Sequence, residues 1–347
     1  MAGRIVVAGA GAVGASIAYH LALLGAREVV LADRAEVASG ATGKAMGGVR
    51  QQFSTAEEVA LVRASLPLLR ELGAPLFDPV GYLFLATTEE GRARLHARAE
   101  VQRGLGVPVE KVDPASVRGL RTDDVLETAI CREDGVAEPA EVTRELVRRA
   151  VERGVEVRAQ TDARELPHEV LVVACGAVSA ELCSELPIRP LCRQLADVGP
   201  IEGLAPDLPM VIEEESGFHF RRRRDALRVA MPEPSPRWGW DEVVEDEIVE
   251  DKRRRLSHRY PPAAGAPLVR AWAGLYDMTP DAHPIIGWVA DGVYAACGFS
   301  GHGFMQSPAV GRSVAEELLG LAPTVDLSPY RLERFAGKAT FPETLVL

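Results

Sequence analysis

The sequence predicts an α/β protein in two parts: a parallel sheet wound with helices, and an α+β part built on a mostly antiparallel sheet. Three observations carry this. Residues 4–33 read as strand, glycine-rich turn, helix and strand, with an acid at the end. Residues 138–177 return to the same alternation of helix and strand. Residues 188–270 change character: proline is frequent and short apolar runs suggest antiparallel strands.

Each element follows from local chemistry. Arg4-Ile5-Val6-Val7-Ala8 is a β-branched run with no charge inside it, the pattern of a buried strand. Gly9-Ala10-Gly11-Ala12-Val13-Gly14 follows at once as G-x-G-x-x-G. Val13, Ile17, Leu21 and Leu24 recur on one helix face, and Gly25 is placed to end that helix. Glu28-Val29-Val30-Leu31-Ala32 is a second strand, closed by Asp33. In such a unit Gly9 allows the tight turn, Gly11 admits a pyrophosphate against the backbone, and Gly14 lets the helix lie close to the strand. Unpaired N–H groups at the helix start face the phosphates. Asp33, nineteen residues past Gly14, suits a ribose 2′-OH and disfavours a 2′-phosphate. This is a Rossmann-type dinucleotide site for FAD or NAD, and the motif alone does not choose between them.

Val37 to Phe53 is small and glycine-rich, with Met46, Val49 and Phe53 needing cover, and reads as a loop against a ligand. Helices are predicted over 57–72, 89–105 and 138–151, with a short one opened by Asp113 and Pro114. Strands are predicted over 80–86, 125–131, 155–157 and 170–177. The last of these ends in Cys175, Gly176 and Ala177, small enough to pass close to a dinucleotide; Cys175 is read as a packing residue. Val211–Glu213, Phe218–Phe220 and Leu227–Ala230 are short strands of the second sheet. Arg221 to Arg224 is expected to form a solvated hairpin turn, and Asp241 to His258 an exposed, highly charged helix. Near the end, Val293–Cys297 is a strand. Gly298-Phe299-Ser300-Gly301-His302-Gly303-Phe304-Met305 then turns into a helix reaching Leu319, which would bring a second helix N-terminus to a ligand.

Composition narrows the function. At 347 residues the chain can hold two domains and a large core. A net charge of −11 argues against nucleic acid as a partner. No apolar run reaches the roughly 20 residues of a membrane span. The first strand begins at residue 4, leaving no room for a signal peptide, so a cytoplasmic enzyme is expected. The five cysteines are odd in number, scattered and without C-x-x-C, so neither a disulfide framework nor a metal site is expected.

With these motifs in hand, the chain resembles the FAD-dependent D-amino-acid oxidase and sarcosine oxidase superfamily. The members it looks most like are glycine oxidase, the β subunits of sarcosine oxidase and proline dehydrogenase, and dimethylglycine dehydrogenase. The marks are G-x-G-x-x-G with Asp33; Gly47-Gly48-Val49-Arg50-Gln51-Gln52-Phe53; Trp272-Ala273-Gly274-Leu275-Tyr276 running into Thr279-Pro280-Asp281; and the Gly298–Phe304 block. The resemblance implies a discontinuous FAD-binding domain (1–78, 138–190 and 272–347) and a substrate domain (79–137 and 191–271) with the flavin ring between them. It implies that Gly9, Ala10, Gly11, Val13, Gly14, Asp33 and Arg34 hold the adenosine diphosphate. Ser39, Gly40, Ala41, Thr42, Lys44, Ala45, Met46 and Gly47 would run along the pyrophosphate and flavin. Val157 would contact adenine. Cys175, Gly176, Gly274, Gly298, Ser300, Gly301, His302, Gly303, Phe304 and Met305 would complete the cofactor site, the last five presenting N–H groups to the flavin pyrimidine.

The implied reaction oxidises the C–N bond of a small amino acid or N-methylated amine to an imine, by hydride transfer to the flavin. Arg50 and Tyr276 are the candidates for holding the substrate carboxylate, with His302 beside them and Gln52, His219 and Phe220 as walls. Tyr276 stands where glycine oxidase carries its carboxylate-binding arginine, which puts glycine in doubt. Gly274 stands where monomeric sarcosine oxidase carries its flavin-linking cysteine, and no histidine lies near Lys44, so FAD is expected to be non-covalent. Residues 216 to 224 offer His219 and arginines where an oxygen-activating lysine would lie. That favours a dehydrogenase with another electron carrier over an oxidase using oxygen, though Lys44 could supply the charge. Two other functions stay open: an NAD-dependent dehydrogenase, and a non-catalytic FAD-binding subunit of a hetero-oligomeric amine dehydrogenase.

Overall fold

A computed structural model of the chain describes residues 3–337 and 342–343. Its first sheet has six strands, in the order Ile285–Ala290, Val293–Cys297, Val170–Val173, Ile5–Ala8, Val29–Ala32 and Glu156–Arg158. The last five run parallel, and Ile285–Ala290 closes the edge antiparallel to Val293–Cys297. Ile5–Ala8 sits in the interior of this sheet and is wholly buried, as a continuous apolar run with helices above and below requires.

The first helix, Ala12–Leu23, is buried from Ala12 through Leu21, on every face rather than on one stripe. It lies between the sheet and the helices Pro139–Val151 and Gly303–Leu318. Its approach to the sheet depends on Gly14, where a Cβ would stand 1.9 Å from the carbonyl oxygen of Gly9. Its approach to Gly303–Leu318 depends on Gly311, where a Cβ would stand 2.2 Å from Ser16 Oγ.

The second sheet has nine strands. Eight follow the order Arg237–Trp238, Arg189–Val198, Ala226–Ala230, His219–Arg223, Met210–Glu213, Tyr82–Ala86, Glu127–Cys131 and Val109–Glu110. The ninth, Leu268–Met278, pairs with Arg189–Val198 along nearly its whole length. Met210–Glu213 and Tyr82–Ala86 run parallel, and the other pairs are antiparallel. The core of this part gathers Phe218, Phe220, Leu227, Val229, Leu256 and Tyr260. Gly48–Val49, Phe77–Asp78 and Gly135–Ala137 form a small third sheet.

The two longest strands were not readable as such. Arg189–Val198 opens on Arg-Pro, and Leu268–Met278 carries Arg270, Gly274 and Asp277, so neither alternates cleanly. They run across the expected domain boundaries at 190/191 and 271/272.

Two expectations about charged segments are overturned. Arg221 to Arg223 belong to a strand, and Arg221 is buried at 2% exposure; only Arg224, at φ 58°, sits in the turn. The charged helix runs Asp246–Arg259 and buries Val249, Lys252, Leu256 and Arg259, a face at helical spacing hidden by its arginines and glutamates. Replacing Gly14 with alanine should push the first helix off the sheet, costing about 1–3 kcal/mol in denaturant unfolding. It should also lower the fraction of protein that retains dinucleotide; unchanged stability would mean that the helix has room to move.

Candidate active site

The site begins at the first glycine turn. Gly9 has φ +103°, and a Cβ there would meet the Ala174 carbonyl oxygen at 2.4 Å. Asp33 fixes the turn as well as facing the cleft. Its Oδ2 accepts from the Ala10 N–H at 2.7 Å, and its Oδ1 from Ala35 N–H at 2.8 Å. Thr42 Oγ1 accepts from Ala12 N–H at 3.0 Å. A Cβ on Gly11 would meet that hydroxyl alone, so the backbone of this turn is open to a ligand. Gly11, the N-cap residue, has no side chain of its own, so apart from the Ala12 N–H taken by Thr42 the first N–H groups of the helix have no side-chain acceptor among the described residues.

A second helix N-terminus points into the same cleft. Gly303–Leu318 begins after His302, again with no side-chain cap. The turn before it hangs on Asp277, whose carboxylate accepts N–H groups from Gly298 at 2.8 Å, Phe299 at 3.0 Å and Ser300 at 3.1 Å. Two helix N-termini in one cleft, far apart in sequence, suit a ligand with negative charge at both ends.

Donors from the second sheet hold the loop between them. The carbonyl of Lys44 accepts from Trp272 Nε1 at 2.9 Å, that of Ala45 from Arg228 Nη1 at 3.1 Å, and that of Met46 from Arg221 Nε at 2.5 Å. Arg228 is aimed by a two-point pair with Asp197, at 2.9 and 3.1 Å, and Arg221 by Glu138 at 3.0 Å. The aliphatic stem of Lys44 lies over Gly274, where a Cβ would stand 3.1 Å from it, and its ammonium pairs with Glu242.

Beyond this loop lies a buried cation. Arg50 is 1% exposed, with Nη1 donating to the Gln52 carbonyl at 2.5 Å and the guanidinium 3.9 Å from the Phe53 ring centroid. Its Nη2 is 3.4 Å from His302 Nε2. Arginine can only donate, so in this contact Nε2 is the acceptor and the imidazole proton sits on Nδ1. Burial lowers the Arg50 pKa, yet a guanidinium keeps its charge. Asp134, buried nearby, accepts from Gln51 N–H, Gln51 Nε2 and Gln52 Nε2, and burial raises its pKa to about 6.

Tyr276 packs its ring on the glycine turn: a Cβ on Gly301 would come within 2.3 Å of it. Burial raises the pKa of its hydroxyl, which stays protonated. His219 is buried and turns Nδ1 to the Gly217 carbonyl at 2.7 Å. Burial, and then the charges of Lys252, Arg50 and Arg193, lower its pKa to about 4, so the ring is neutral at pH 7.

One cleft of about 400 Å³ gathers most of the expected residues. Its lining includes Gly9, Gly11, Val13, Asp33, Arg34, residues 39–42 and 44–47, Arg50, Cys175, Gly176, His219, Gly274, Tyr276 and residues 301–305. Burial raises the Cys175 thiol pKa to about 12, which leaves it unreactive. Ala10, Gly14, Gly298 and Ser300 act one layer back, shaping the turns. Three further expected contacts, Val157, Phe220 and Gln52, are also not in the lining. Val157 lies in the edge strand paired to Leu31, and Thr161, Asp162 and Ala163 line the cleft near Asp33 instead. Phe220 points into the second core, against Phe218 and Tyr260. Gln52 donates to the Tyr82 carbonyl and braces the Arg50 loop from behind. Sequence reasoning missed Tyr82, Arg193, Met210, Met231 and Asp277, all in the lining. Tyr82, Arg193 and Met210 come from strands with no motif, Met231 follows the strand Ala226–Ala230, and Asp277 sits within a motif block without being singled out; the sheet order brings them together.

A family model described as DAO, FAD dependent oxidoreductase, matches residues 4–317. The chain belongs to the DAO family. Among its relatives is FAD-dependent oxidoreductase domain-containing protein 1 of Bos taurus, 29% identical over 95% of this chain and 84% of that protein. Mouse mitochondrial sarcosine dehydrogenase is 25% identical over 97% of this chain but only 42% of that protein's length. Among solved structures, L-proline dehydrogenase from P. horikoshii superposes with a TM-score of 0.88 at 26% identity, covering 96% of this chain and 98% of that one. Glycine oxidase from Geobacillus kaustophilus shares the fold, with a TM-score of 0.85 at 22% identity over 97% and 99% of the two chains. As a DAO-family protein the chain is an FAD-dependent oxidoreductase acting on amino-acid or amine C–N bonds. The two helix starts and the open backbone at Gly11 fit that cofactor. Among the described residues no helix is long and apolar enough to cross a membrane, and no cluster of metal ligands occurs.

The neutral His219 makes a pH prediction. An imidazole with folded pKa about 4 and unfolded pKa 6.5 lets the unfolded chain bind a proton that the folded chain refuses. Its stabilising contribution is complete above pH 6.5 and is lost as pH falls towards 4, about 2 kcal/mol being gone at pH 5. Asp134, with its raised pKa, works in the opposite sense between pH 6 and 4. His219→Gln should therefore shrink the stability difference between pH 7 and pH 5 by about 2 kcal/mol in urea unfolding. An unchanged difference would mean that the ring is solvated.

Proposed function

We propose that this DAO-family protein oxidises a small amino acid or N-substituted amino acid to an imine that water then hydrolyses. The observation that carries this is Arg50, a buried guanidinium facing the same cleft as the two helix N-termini. Bound FAD supplies the hydride acceptor. The Gly11 turn and the start of the first helix hold its diphosphate, and Asp33 its ribose. The N–H groups at residues 301–305 stabilise negative charge at the pyrimidine end.

The remaining roles belong to side chains of the substrate end. Arg50 takes the carboxylate, and the Tyr276 hydroxyl assists it. His219, Met210 and Met231 wall the site and exclude water. With its pKa about 4, His219 is a poor general base at pH 7. The cations around the site instead favour the unprotonated amine, which is the reactive form, so the proton leaves to solvent before the hydride moves. The Arg50–His302 contact holds the imidazole of the residue that precedes the helix Gly303–Leu318, and so couples substrate position to the turn that would meet the flavin.

FAD is proposed to be non-covalent, since Gly274 offers no side chain and Lys44 covers it. Pairing of Lys44 with Glu242 offsets a charge that could assist oxygen reduction beside Gly274, which favours an electron carrier other than oxygen. The division into cofactor-binding residues (1–78, 138–190, 272–347) and substrate-binding residues (79–137, 191–271) is part of the same proposal, with two strands crossing it. A partner subunit that receives the electrons is compatible with it.

The test is an anaerobic visible spectrum of the purified protein, taken while sarcosine, proline, glycine and D-alanine are added in turn. Bleaching of a bound flavin by an amino acid or N-methyl amino acid is expected. A flavin that dithionite reduces but no amine does would overturn the reading. Arg50→Gln should raise the half-saturating amine concentration by about 10- to 100-fold, the worth of a lost charge-assisted hydrogen bond.

A further inference from the structure

We propose that Arg193 holds a second carboxylate, so that the preferred substrate is an amine bearing two carboxylates, an N-carboxyalkyl amino acid or an acidic amino acid. This rests on the amine-oxidising reading above and narrows its substrate class.

Arg193 lies on the strand Arg189–Val198, paired with Gly274, and its side chain lines the cleft with its guanidinium carbon 5.6 Å from the Tyr276 ring centroid. It is part of a cluster that is short of negative charge. Its Nη1 donates to Glu233 Oε2 at 3.1 Å. The other oxygen of Glu233 already accepts from Lys252 Nζ at 3.0 Å and from Gln194 N–H at 3.0 Å. Lys252 is 0% exposed and also donates to the Gln194 carbonyl. One carboxylate thus serves two cations, and the cluster carries an excess positive charge.

The guanidinium is also under-used. Its Nε is shut off from the cleft without a partner, and among the described residues only Nη1 makes a bond, which leaves the accessible Nη2 as the donor an incoming anion can reach. Leaving a buried donor unpaired costs about 1–3 kcal/mol. The carboxylates nearby are committed: Asp277 to the three N–H groups of the glycine turn, and Glu242 to Lys44. An incoming anion is what completes this site. Arg50, Arg193 and His219 line the same cleft, so the two guanidinium groups share one substrate chamber. A carboxylate on each leaves the amine between them and bounds the substrate's length.

The experiment is isothermal titration of the FAD-loaded full chain with two matched pairs: iminodiacetate against sarcosine, and the non-oxidisable glutarate against butyrate. The dicarboxylate of each pair should bind at least about tenfold more tightly, as one added charge-assisted contact implies. Arg193→Gln should bring each ratio to within about threefold, and Arg193→Lys should restore part of it. Equal binding within the pairs by the unmodified protein overturns the proposal, and this arm needs no variant that might fail to fold. The two failures separate cleanly. A flavin reduced equally well by sarcosine and iminodiacetate removes the second carboxylate site and leaves amine oxidation standing. A flavin reduced by no amine removes both.

Discussion

The carbonyls of Lys44, Ala45 and Met46 are each held by a donor from the second sheet, and the site depends on these three bonds. They fasten a loop of small residues, which has little packing of its own, to a rigid nine-stranded sheet. The donors are themselves constrained. Asp197 bridges Arg228 and Arg270, and both guanidinium groups stack on Trp272, at 4.7 and 4.3 Å. Removing one partner of such a buried network typically costs about 3–5 kcal/mol, because the other charge is stranded. The clamp therefore sets the distance between the two sheets, and with it the width of the cleft.

Within that cleft the electrostatics run against the chain as a whole. The protein carries a net charge of −11, yet its interior site collects two helix N-termini, Arg50 and Arg193. Low exposure makes these charges effective, since water cannot screen them. On the proposed function, a dinucleotide diphosphate would meet one end and a substrate carboxylate the other. Burial, reinforced by the positive surroundings, keeps His219 neutral, and the same positive charge lowers the proton affinity of a bound amine.

The cofactor half was readable from the sequence because its physics is local. A strand, a glycine turn and a helix start occupy consecutive residues, and Gly9, Gly11, Gly14 and Asp33 each answer to a short-range need. The same holds for the Gly298–Met305 turn, although its anchor, Asp277, sits on another strand and gave no signal. The substrate half was read less well. Arg50 and Tyr276 could be named from their motifs, but Phe220 was placed on the wrong face of its strand, since alternation alone does not say which face meets the cleft. Arg193 and Tyr82 reach the site only through the order of strands, which single-sequence periodicity does not contain. A run of four arginines reads as a solvated turn because it hides the two, Arg221 and Arg223, whose charges are matched by the distant Glu138.

A crystal structure of the FAD complex with a non-oxidisable carboxylate, such as butyrate, tests the placement of the two halves most directly. The carboxylate should lie on the Arg50 guanidinium within hydrogen-bond distance, beside Tyr276, with the flavin pyrimidine against the N–H groups of residues 301–305. A carboxylate seated elsewhere in the cleft, or a flavin whose pyrimidine faces away from that turn, would contradict it.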